Sequence, residues 1–257
     1  MIGGFIMIDT HCHILSEYYD NIDEEIEKIK EAGVKAIIVN GTNIKNCKEI
    51  LELVSKYDIV YGAIGLHPTE LEDVDLATLD FIEKNITNDK IVAVGEIGLD
   101  YHYDDTDKEK QQLFFRRQLE IANKYNKPVI IHSRDSIGDT YNILKEYKIT
   151  GALHCYSGSL EMAREFTKLD ICLGIGGVCT YNNAKNIIEV IKNIGLEYIL
   201  LETDAPYLTP VPYRKYANSP KYLGVIASKI AEVKGISCDE VIWSTTANAG
   251  RIFDIYR

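Results

Sequence analysis

Short apolar runs rich in β-branched residues alternate with amphipathic helical stretches along the sequence. FIMIDTH is followed by NIDEEIEKIKEAG, VKAIIVNG by NIKNCKEILELVSKY, and PVIIHSR by DTYNILKEYK. Runs without strict polar alternation are typical of parallel strands covered by helices, because connections of this length demand parallel pairing. Eight such units in 257 residues, 46% of them hydrophobic, predict an α/β fold of the (β/α)8 TIM-barrel type, with a single domain over residues 1–257.

The main competing fold is an open, doubly wound parallel sheet. In that fold the turn after the first strand usually carries a glycine-rich phosphate-binding fingerprint. Here the glycines of GGFIM precede the first strand instead of following it. The pattern therefore favours the barrel.

Charge and cysteine content limit the function classes. The 28 basic and 39 acidic residues give a net charge of -11, which argues against a broad basic surface for duplex nucleic acid but allows a local basic patch. The six cysteines form no C-x-x-C pair, so neither a zinc knuckle nor a disulfide framework is predicted. No apolar segment approaches the ~20 residues of a membrane span, and MIGGFIMID lacks a basic leader, so we expect a cytoplasmic protein without a membrane anchor.

Five of the six histidines fall at or just beyond the carboxyl end of a predicted strand, where barrel enzymes place their active sites. They are His11, His13, His67, His132 and His154. In DTHCHI, His11 and His13 are two residues apart, so strand alternation turns both into the barrel mouth and Cys12 toward the helices. An H-x-H pair supplies two nitrogen ligands to one metal ion.

Four further metal ligands are predicted on other strands: Glu96 in VGEIGLD, His132 in IIHSR, His154 in ALHCYS and Asp204 in LLETDAP. Six ligands exceed the need of one tetrahedral ion. The sequence therefore predicts two divalent ions, with Glu96 bridging them through its two oxygens at the ~3.5–4 Å spacing of two-metal sites. Zn, Mg and Mn all suit such ligands, as do Fe and Co, so the identity of the metal stays open.

Several polar residues near these ligands have two interpretations. His67 in GLHP either donates a hydrogen bond to a substrate oxyanion or phosphate, or is a turn histidine before Pro68. Arg134, directly after the His132 strand, either holds a phosphate or forms a structural ion pair. His102, in DYHYDD, is expected at the surface.

A cysteine nucleophile is a further alternative, because Cys12 and Cys155 each adjoin a histidine in the sequence. Adjacent strand residues face opposite sides, so neither thiol is expected to meet its neighbouring imidazole. Alternation is predicted to turn both thiols away from the mouth.

The motifs DTHCH, GLHP, GEIGLDY, FFRRQLEIA, VIIHSRD, LHCYSGS, LLETDAPYL and TTANAGRIF together resemble the TatD family of metal-dependent hydrolases. The resemblance spans nearly the whole chain. It implies a barrel related to the amidohydrolases and a metal-dependent deoxyribonuclease, often a 3'-to-5' exonuclease on single strands. The expected partner is a DNA substrate, single-stranded or a strand end, bound by a monomer.

The resemblance also implies roles for individual residues. His11 and His13 correspond to the first metal pair with Glu96 bridging, and His132 and His154 to ligands of the second metal. Asp204 corresponds to the aspartate that ligates a metal and orients the attacking water. The expected mechanism is in-line attack on a phosphodiester by a metal-bound hydroxide, with Asp204 accepting or relaying the proton, which makes Asp204, Glu96 and His67 the candidate catalytic residues.

The loop after the eighth strand departs from the family pattern. The family commonly has R-G-x-R-N-E-P, whereas this chain reads RKYANSP from Arg214 to Pro220 and lacks the glycine, one basic residue and the glutamate. Arg214 is retained, and we expect it to join His67 and Arg134 in binding substrate.

Two other functions are compatible with the same metal ligands. One is hydrolysis of an amide, ester or lactone, as in the related amidohydrolases. The other is a non-catalytic, metal-binding regulatory protein, which loss of ligands would have favoured. All six predicted ligands are present, so an enzyme is favoured.

Overall fold

The computed structural model describes residues 6–255; residues 1–5, with the glycines of GGFIM, and residues 256–257 of the predicted domain lie outside the described part. Eight strands pair in parallel in sequence order, which confirms the predicted barrel. The strands are β1 (Met7–Cys12), β2 (Val34–Asn40), β3 (Val60–Ile64), β4 (Ile91–Asp100), β5 (Val129–Arg134), β6 (Gly151–Leu153), β7 (Ile171–Ile175) and β8 (Ile199–Leu201).

Helices cover the outside of the barrel. They are α1 (Ile22–Glu31), α2 (Ile44–Lys56), α3 (Leu79–Asn85), α4 (Lys108–Lys124), α5 (Ile137–Leu144), α6 (Leu160–Lys168), α7 (Lys185–Asn193), α8 (Leu223–Lys234) and α9 (Cys238–Phe253). Short polar side chains begin several of them by accepting a hydrogen bond from a first-turn N–H group, which otherwise has no helical partner. These residues are Asn21, Asn43, Asp107, Ser159 and Ser237. Of the helices between residues 6 and 255, none is long and apolar enough to cross a lipid bilayer.

The barrel closes where β8 meets β1, just beyond the regular part of both strands. Cys12 and Ala205 form a parallel bridge, and the His13 N–H donates to the Ala205 carbonyl at 2.7 Å. The Asp204 N–H donates to the His11 carbonyl at 2.9 Å. Closure therefore brings Asp204 beside the two histidines of the H-x-H pair.

Strand alternation divides the core into two layers. On β2, Ile38 belongs to the cluster inside the barrel, whereas Ile37 and Val39 belong to the cluster packed beneath the helices. Phe253 at the end of α9 is 1% exposed and packs with the interior cluster. The Thr246 hydroxyl of the same helix bonds to the carbonyl of Ile6, just before β1, so α9 covers the amino-terminal end and the polar residues gather at the other end.

Several predicted ligands lie beyond the strands that position them. β6 ends at Leu153 and β8 at Leu201, so His154 and Asp204 belong to the following loops. Asp204 has a φ of 56°, in the left-handed region. The prediction that His154 and Asp204 lie on strands is therefore wrong, and the loop backbone turns their side chains toward the mouth.

Candidate metal centre

The carboxylate of Glu96, 3% exposed on β4, lies in the middle of the mouth. Its Oε2 lies 3.4 Å from Nε2 of His11 and 3.6 Å from Nε2 of His13. Its Oε1 lies 2.8 Å from Nε2 of His154 and 3.1 Å from Nδ1 of His132. The two oxygens of one carboxylate thus face two separate pairs of imidazoles.

Asp204 completes the cluster on the β1 side. Its Oδ1 lies 3.6 Å from Nε2 of His11 and 3.6 Å from Nε2 of His13. The side chain is 14% exposed, so one of its faces reaches the mouth. The structure therefore brings together all six residues that the sequence predicts as ligands.

Hydrogen bonds behind two of the imidazoles show which nitrogen of each is available to a metal. Nδ1 of His13 lies 2.9 Å from the carbonyl of Asn40 and donates to it, which leaves the lone pair of Nε2 directed at the centre. Nε2 of His132 lies 2.9 Å from Oδ2 of Asp100 and donates to it, which leaves Nδ1 facing the centre. Such partners fix the orientation of metal-binding histidines.

Close approaches between ring nitrogens fit the presence of cations. Nε2 of His11 lies 3.2 Å from Nε2 of His13, and Nδ1 of His132 lies 3.2 Å from Nε2 of His154. Lone pairs directed at one point repel unless a proton or a metal ion lies between them. Imidazole nitrogens with carboxylate oxygens are a ligand set that divalent metals prefer, so the residues present fit the predicted metal centre.

The clustered charges shift the pKa values of the ligands in opposite directions. Burial lowers the pKa of His11 to about 4, so the ring is neutral at physiological pH. Burial raises the pKa of Glu96, but nearby His154, His67 and His11 outweigh burial and hold this pKa well below its usual range. The centre therefore combines a neutral imidazole with an ionised carboxylate, the forms that bind metal.

The pKa values of His132 and Asp204 are also shifted, that of His132 upward and that of Asp204 downward. Burial lowers the pKa of His132, but its hydrogen bonds to Asp100 and Glu96 outweigh burial and raise the pKa to about 9. Burial raises the pKa of Asp204, but the hydrogen bond with His13 and the charges of His154 and His11 bring it below its usual value. Asp204 is thus a carboxylate at neutral pH.

His67 lies beside the centre, with Nε2 3.4 Å from Oε1 of Glu96. The backbone N–H of Thr69 donates to its Nδ1, at 3.2 Å, so the proton of the neutral ring sits on Nε2. Burial lowers its pKa, which keeps the ring neutral. Although Nε2 lies close enough to Glu96 and His132 to join a metal cluster, a protonated Nε2 is a hydrogen-bond donor and not a ligand. Both interpretations of His67 survive, since it also begins the turn at Pro68.

The comparisons with known proteins agree with this geometry. The family model described as "TatD related DNase" matches residues 8–254. The chain belongs to the TatD family of metal-dependent hydrolases.

Individual TatD relatives match over the same length. The metal-dependent hydrolase YabD of Bacillus subtilis is 41% identical over 254 residues, which cover 97% of this chain and 100% of the relative. The crystal structure of YjjV, a TatD homologue of Escherichia coli, is 34% identical, with a TM-score of 0.93 over 97% of this chain and 98% of the other. A TatD family hydrolase of Entamoeba histolytica is 26% identical, with a TM-score of 0.85 over 96% and 97% of the two chains.

The two arginines predicted to contact substrate in this TatD protein follow different strands, β5 and β8, and both lie near tyrosine rings. Cζ of Arg214, in the loop after β8, lies 4.1 Å from the ring centroid of Tyr181. Cζ of Arg134, at the end of β5, lies 5.9 Å from that of Tyr103. Both arginines are exposed and available to solvent.

His102 follows β4 and lies at the surface, as predicted. Its side chain is 44% exposed, and its Nδ1 lies 2.9 Å from the Asp135 carboxylate. It therefore stands apart from the cluster around Glu96.

Strand alternation was the wrong reason for excluding Cys155 as a nucleophile. Cys155 follows the end of β6 with a φ of 45°, so strand alternation does not apply there. Burial and the charges of Asp204, Glu202 and Glu96 raise the pKa of its thiol well above the ordinary value. A thiol that remains protonated is a poor nucleophile, so the conclusion against cysteine catalysis stands on different grounds. Cys12 is fully buried and bonds to the carbonyl of Ile38, as its predicted direction requires.

The loop from Arg214 to Pro220, which departs from the family pattern, is fixed by buried polar contacts. Asn218, fully buried, donates through Nδ2 to the carbonyls of Thr203, at 2.7 Å, and Tyr207, at 2.6 Å. Ser219 stands where the family commonly has glutamate, and its hydroxyl bonds to the buried carboxylate of Glu25. These two residues therefore anchor the loop, and Arg214 remains at its exposed tip.

Sequence reasoning missed Asp100 and Glu202. Asp100 ends β4 four residues after Glu96, and strand parity from Glu96 would have placed it on the same face. Glu202 is fully buried, accepts a hydrogen bond from the Cys155 N–H at 2.6 Å, and lies 4.0 Å from Nδ1 of His154. A Cβ at Gly174 would lie 2.0 Å from its Oε2, so the glycine provides the space for this carboxylate. Its place two residues before Asp204 was the available signal.

Proposed function

We propose that this TatD protein is a deoxyribonuclease that hydrolyses phosphodiester bonds of single-stranded DNA and removes nucleotides from the 3' end. The observation that carries the proposal is the position of Glu96, whose two oxygens face separate clusters of imidazoles. Two-metal centres of this kind serve in-line displacement at phosphorus, because they stabilise both the attacking and the leaving oxygen. The matching family model, named for a DNase, supports the same reaction.

We propose that the centre holds two divalent ions, Zn, Mg or Mn. When bound, such ions would polarise the phosphodiester and lower the pKa of the attacking water. His11 and His13 would hold one ion and His132 and His154 the other, with Glu96 between them and Asp204 on the first. The 2.8–3.6 Å separations between Glu96 and these imidazole nitrogens support this division.

Asp204 is the residue best placed to accept the proton of the attacking water. It reaches the mouth and is a carboxylate at neutral pH, so it can orient a water molecule by accepting its hydrogen bond. Its N–H is held by the carbonyl of His11, which fixes the carboxylate relative to the metal ligands.

His67 and the two arginines would bind the phosphates. The proton on Nε2 of His67 makes the ring a donor toward a non-bridging oxygen, where negative charge increases during attack. Arg134, at the end of β5, and Arg214, in the loop after β8, are both exposed and would contact the cleaved phosphate or the phosphates on its 5' side. Two local cations can bind the phosphates of one strand although the net charge of the chain is -11.

The proposed setting is the cytoplasm, with the protein acting as a monomer. All six cysteines are free, which fits a reducing compartment. Gel filtration at micromolar concentration would test the monomer directly.

A panel of substrates tests the reaction class. The metal-loaded protein is incubated with end-labelled single-stranded DNA, the same strand as RNA, a lactone and an amide. We expect shortening of the DNA from its 3' end. Cleavage of the lactone or amide with every nucleic acid intact would assign the centre to amidohydrolase-type chemistry, and retention of metal without any turnover would favour the regulatory alternative.

A further inference from the structure

Exposed tyrosines gather around the mouth. Tyr18 lies in the loop after β1, Tyr103 in the loop after β4, and Tyr207, Tyr213 and Tyr216 in the loop after β8. Their exposed fractions range from 37% for Tyr213 to 66% for Tyr216. Large exposed rings beside a polar catalytic centre indicate a ligand with a flat apolar part.

Tyr207 lies directly beside the metal ligands. It follows Asp204 by three residues, and its N–H donates to the Asp204 carbonyl at 2.8 Å. Its ring centroid lies 6.2 Å from that of His13, with the rings at 67°. The ring is therefore next to the first imidazole cluster, and the residue remains 49% exposed.

Tyr207 is held at its backbone by Asn218 and at its ring by Tyr18. The buried side chain of Asn218 donates to the Tyr207 carbonyl at 2.6 Å, which fixes the backbone. The ring of Tyr18 packs edge-on against the ring of Tyr207, with centroids 5.8 Å apart and the rings at 73°. A preordered aromatic surface loses little conformational entropy when a ligand binds.

The charges around the mouth favour a nucleotide over other flat ligands. Arg214 lies in the same loop as Tyr207, near Tyr181, and Arg134 lies at the end of β5, near Tyr103. Cations that flank aromatic rings match the alternation of phosphate and base in a single strand, in which each base offers a π-face. A neutral lactone or amide would use the ring but not both cations.

We propose that Tyr207, backed by Tyr18, is a stacking platform for the base of the nucleotide being removed, so that the enzyme selects a strand end that carries a base. This inference rests on the proposed nuclease function and deepens it. A base stacked on Tyr207 is close to the centre, and its phosphate then lies toward Glu96 and Asp204.

The test compares two single strands of the same sequence, one normal and one whose 3'-terminal nucleotide lacks a base. Their KM and kcat values are measured for the wild-type protein, Tyr207→Leu and Tyr207→Phe. Trp243→Leu is the control, because Trp243 is 67% exposed on α9, at the opposite end of the barrel. Circular dichroism and metal content confirm that each variant is folded and loaded.

For the wild-type protein, the base-free end should raise KM roughly ten-fold, the order of effect that stacking of one base provides. Tyr207→Leu should raise KM for the normal strand by a similar factor and leave the base-free strand unchanged. Tyr207→Phe, which keeps the ring, should retain the difference in KM between the two strands, and Trp243→Leu should behave as the wild type.

Two results would overturn the platform while the nuclease proposal stands. The first is that the wild-type protein has equal KM values for the two strands, a measurement that does not depend on the folding of any variant. The other is an equal loss on both strands in Tyr207→Leu, which would make the ring structural. If the wild-type protein cleaves neither strand, the nuclease proposal fails and the platform fails with it.

Discussion

Asp100 accepts a hydrogen bond from Nε2 of His132 at 2.9 Å, and the opposite nitrogen of this ring lies 3.1 Å from Glu96. An ionised carboxylate only accepts hydrogen bonds, so Nε2 carries a proton and Nδ1 is the nitrogen available to a metal. Asp100 therefore determines how His132 can serve the centre.

This hydrogen bond predicts a measurable proton release. Without metal, the pKa of His132 is about 9, so the ring is protonated at pH 7 and must lose its Nδ1 proton when metal binds. Affinity should thus rise with pH up to about 9. In Asp100→Asn the pKa of His132 should fall, so metal binding should release fewer protons. The affinity for metal should also fall by roughly 10–100-fold, because the His132 ring is less well oriented.

Isothermal titration at pH 7, in two buffers of different ionisation enthalpy, counts the released protons. Asp135→Asn is a matched control, since the Asp135 carboxylate pairs with the exposed His102 outside the metal centre. An unchanged proton count in Asp100→Asn would contradict the role of the Asp100 carboxylate.

A second prediction concerns Glu96. Because its two oxygens face different imidazole pairs, Glu96→Ala should lower the occupancy of both metal sites, whereas His154→Ala should mainly lower one. Elemental analysis of protein purified without chelator measures this. Glu120→Ala, an exposed glutamate on α4, should keep the wild-type metal content. Full occupancy in Glu96→Ala would exclude a bridging role.

The two cysteines beside histidines should be dispensable for catalysis. Burial keeps the pKa of both thiols well above the ordinary value, so neither is a thiolate at neutral pH. Cys12→Ser and Cys155→Ser should each retain turnover within about threefold of the wild type. A fall of roughly a hundredfold in a variant that melts like the wild type would restore the cysteine mechanism.

The salt dependence of binding tests the arginines. For a single strand, removing one phosphate-binding cation should reduce the slope of log affinity against log salt by about 0.7. Arg134→Ala and Arg214→Ala should each show this change. Arg117→Ala on α4, where the arginine pairs with Glu120, should not. A slope unaltered by either mouth variant means that the arginines serve the structure only.

Much of the fold and of the ligand set follows from the sequence. The alternation of apolar runs and amphipathic stretches was sufficient for the barrel, because parallel strands with helical connections have few other ways to close. His11 and His13 also lie together as predicted, although a register irregularity between Asp9 and Cys12 interrupts the alternation of β1.

The sequence was less informative beyond the strand ends. Asp204 and Cys155 adopt left-handed backbone conformations that no periodicity predicts, and contacts across the barrel set their directions. Asp100 and Glu202 were missed for a related reason. Each lies beside a histidine from a distant part of the sequence, His132 for Asp100 and His154 for Glu202, so the pairing appears only when the barrel forms.

The most direct measurement is the rate at which metal-free protein shortens an end-labelled single DNA strand as Mn²⁺ is added. We expect no shortening after EDTA treatment and a rise in rate that levels off at two ions per chain, because two imidazole clusters share Glu96. Asp204→Asn, which cannot accept a proton, should bind the strand but shorten it roughly 10²–10⁴-fold more slowly. A strand that stays intact at every Mn²⁺ concentration, or one shortened equally well in EDTA, would contradict metal-dependent hydrolysis of DNA by this centre.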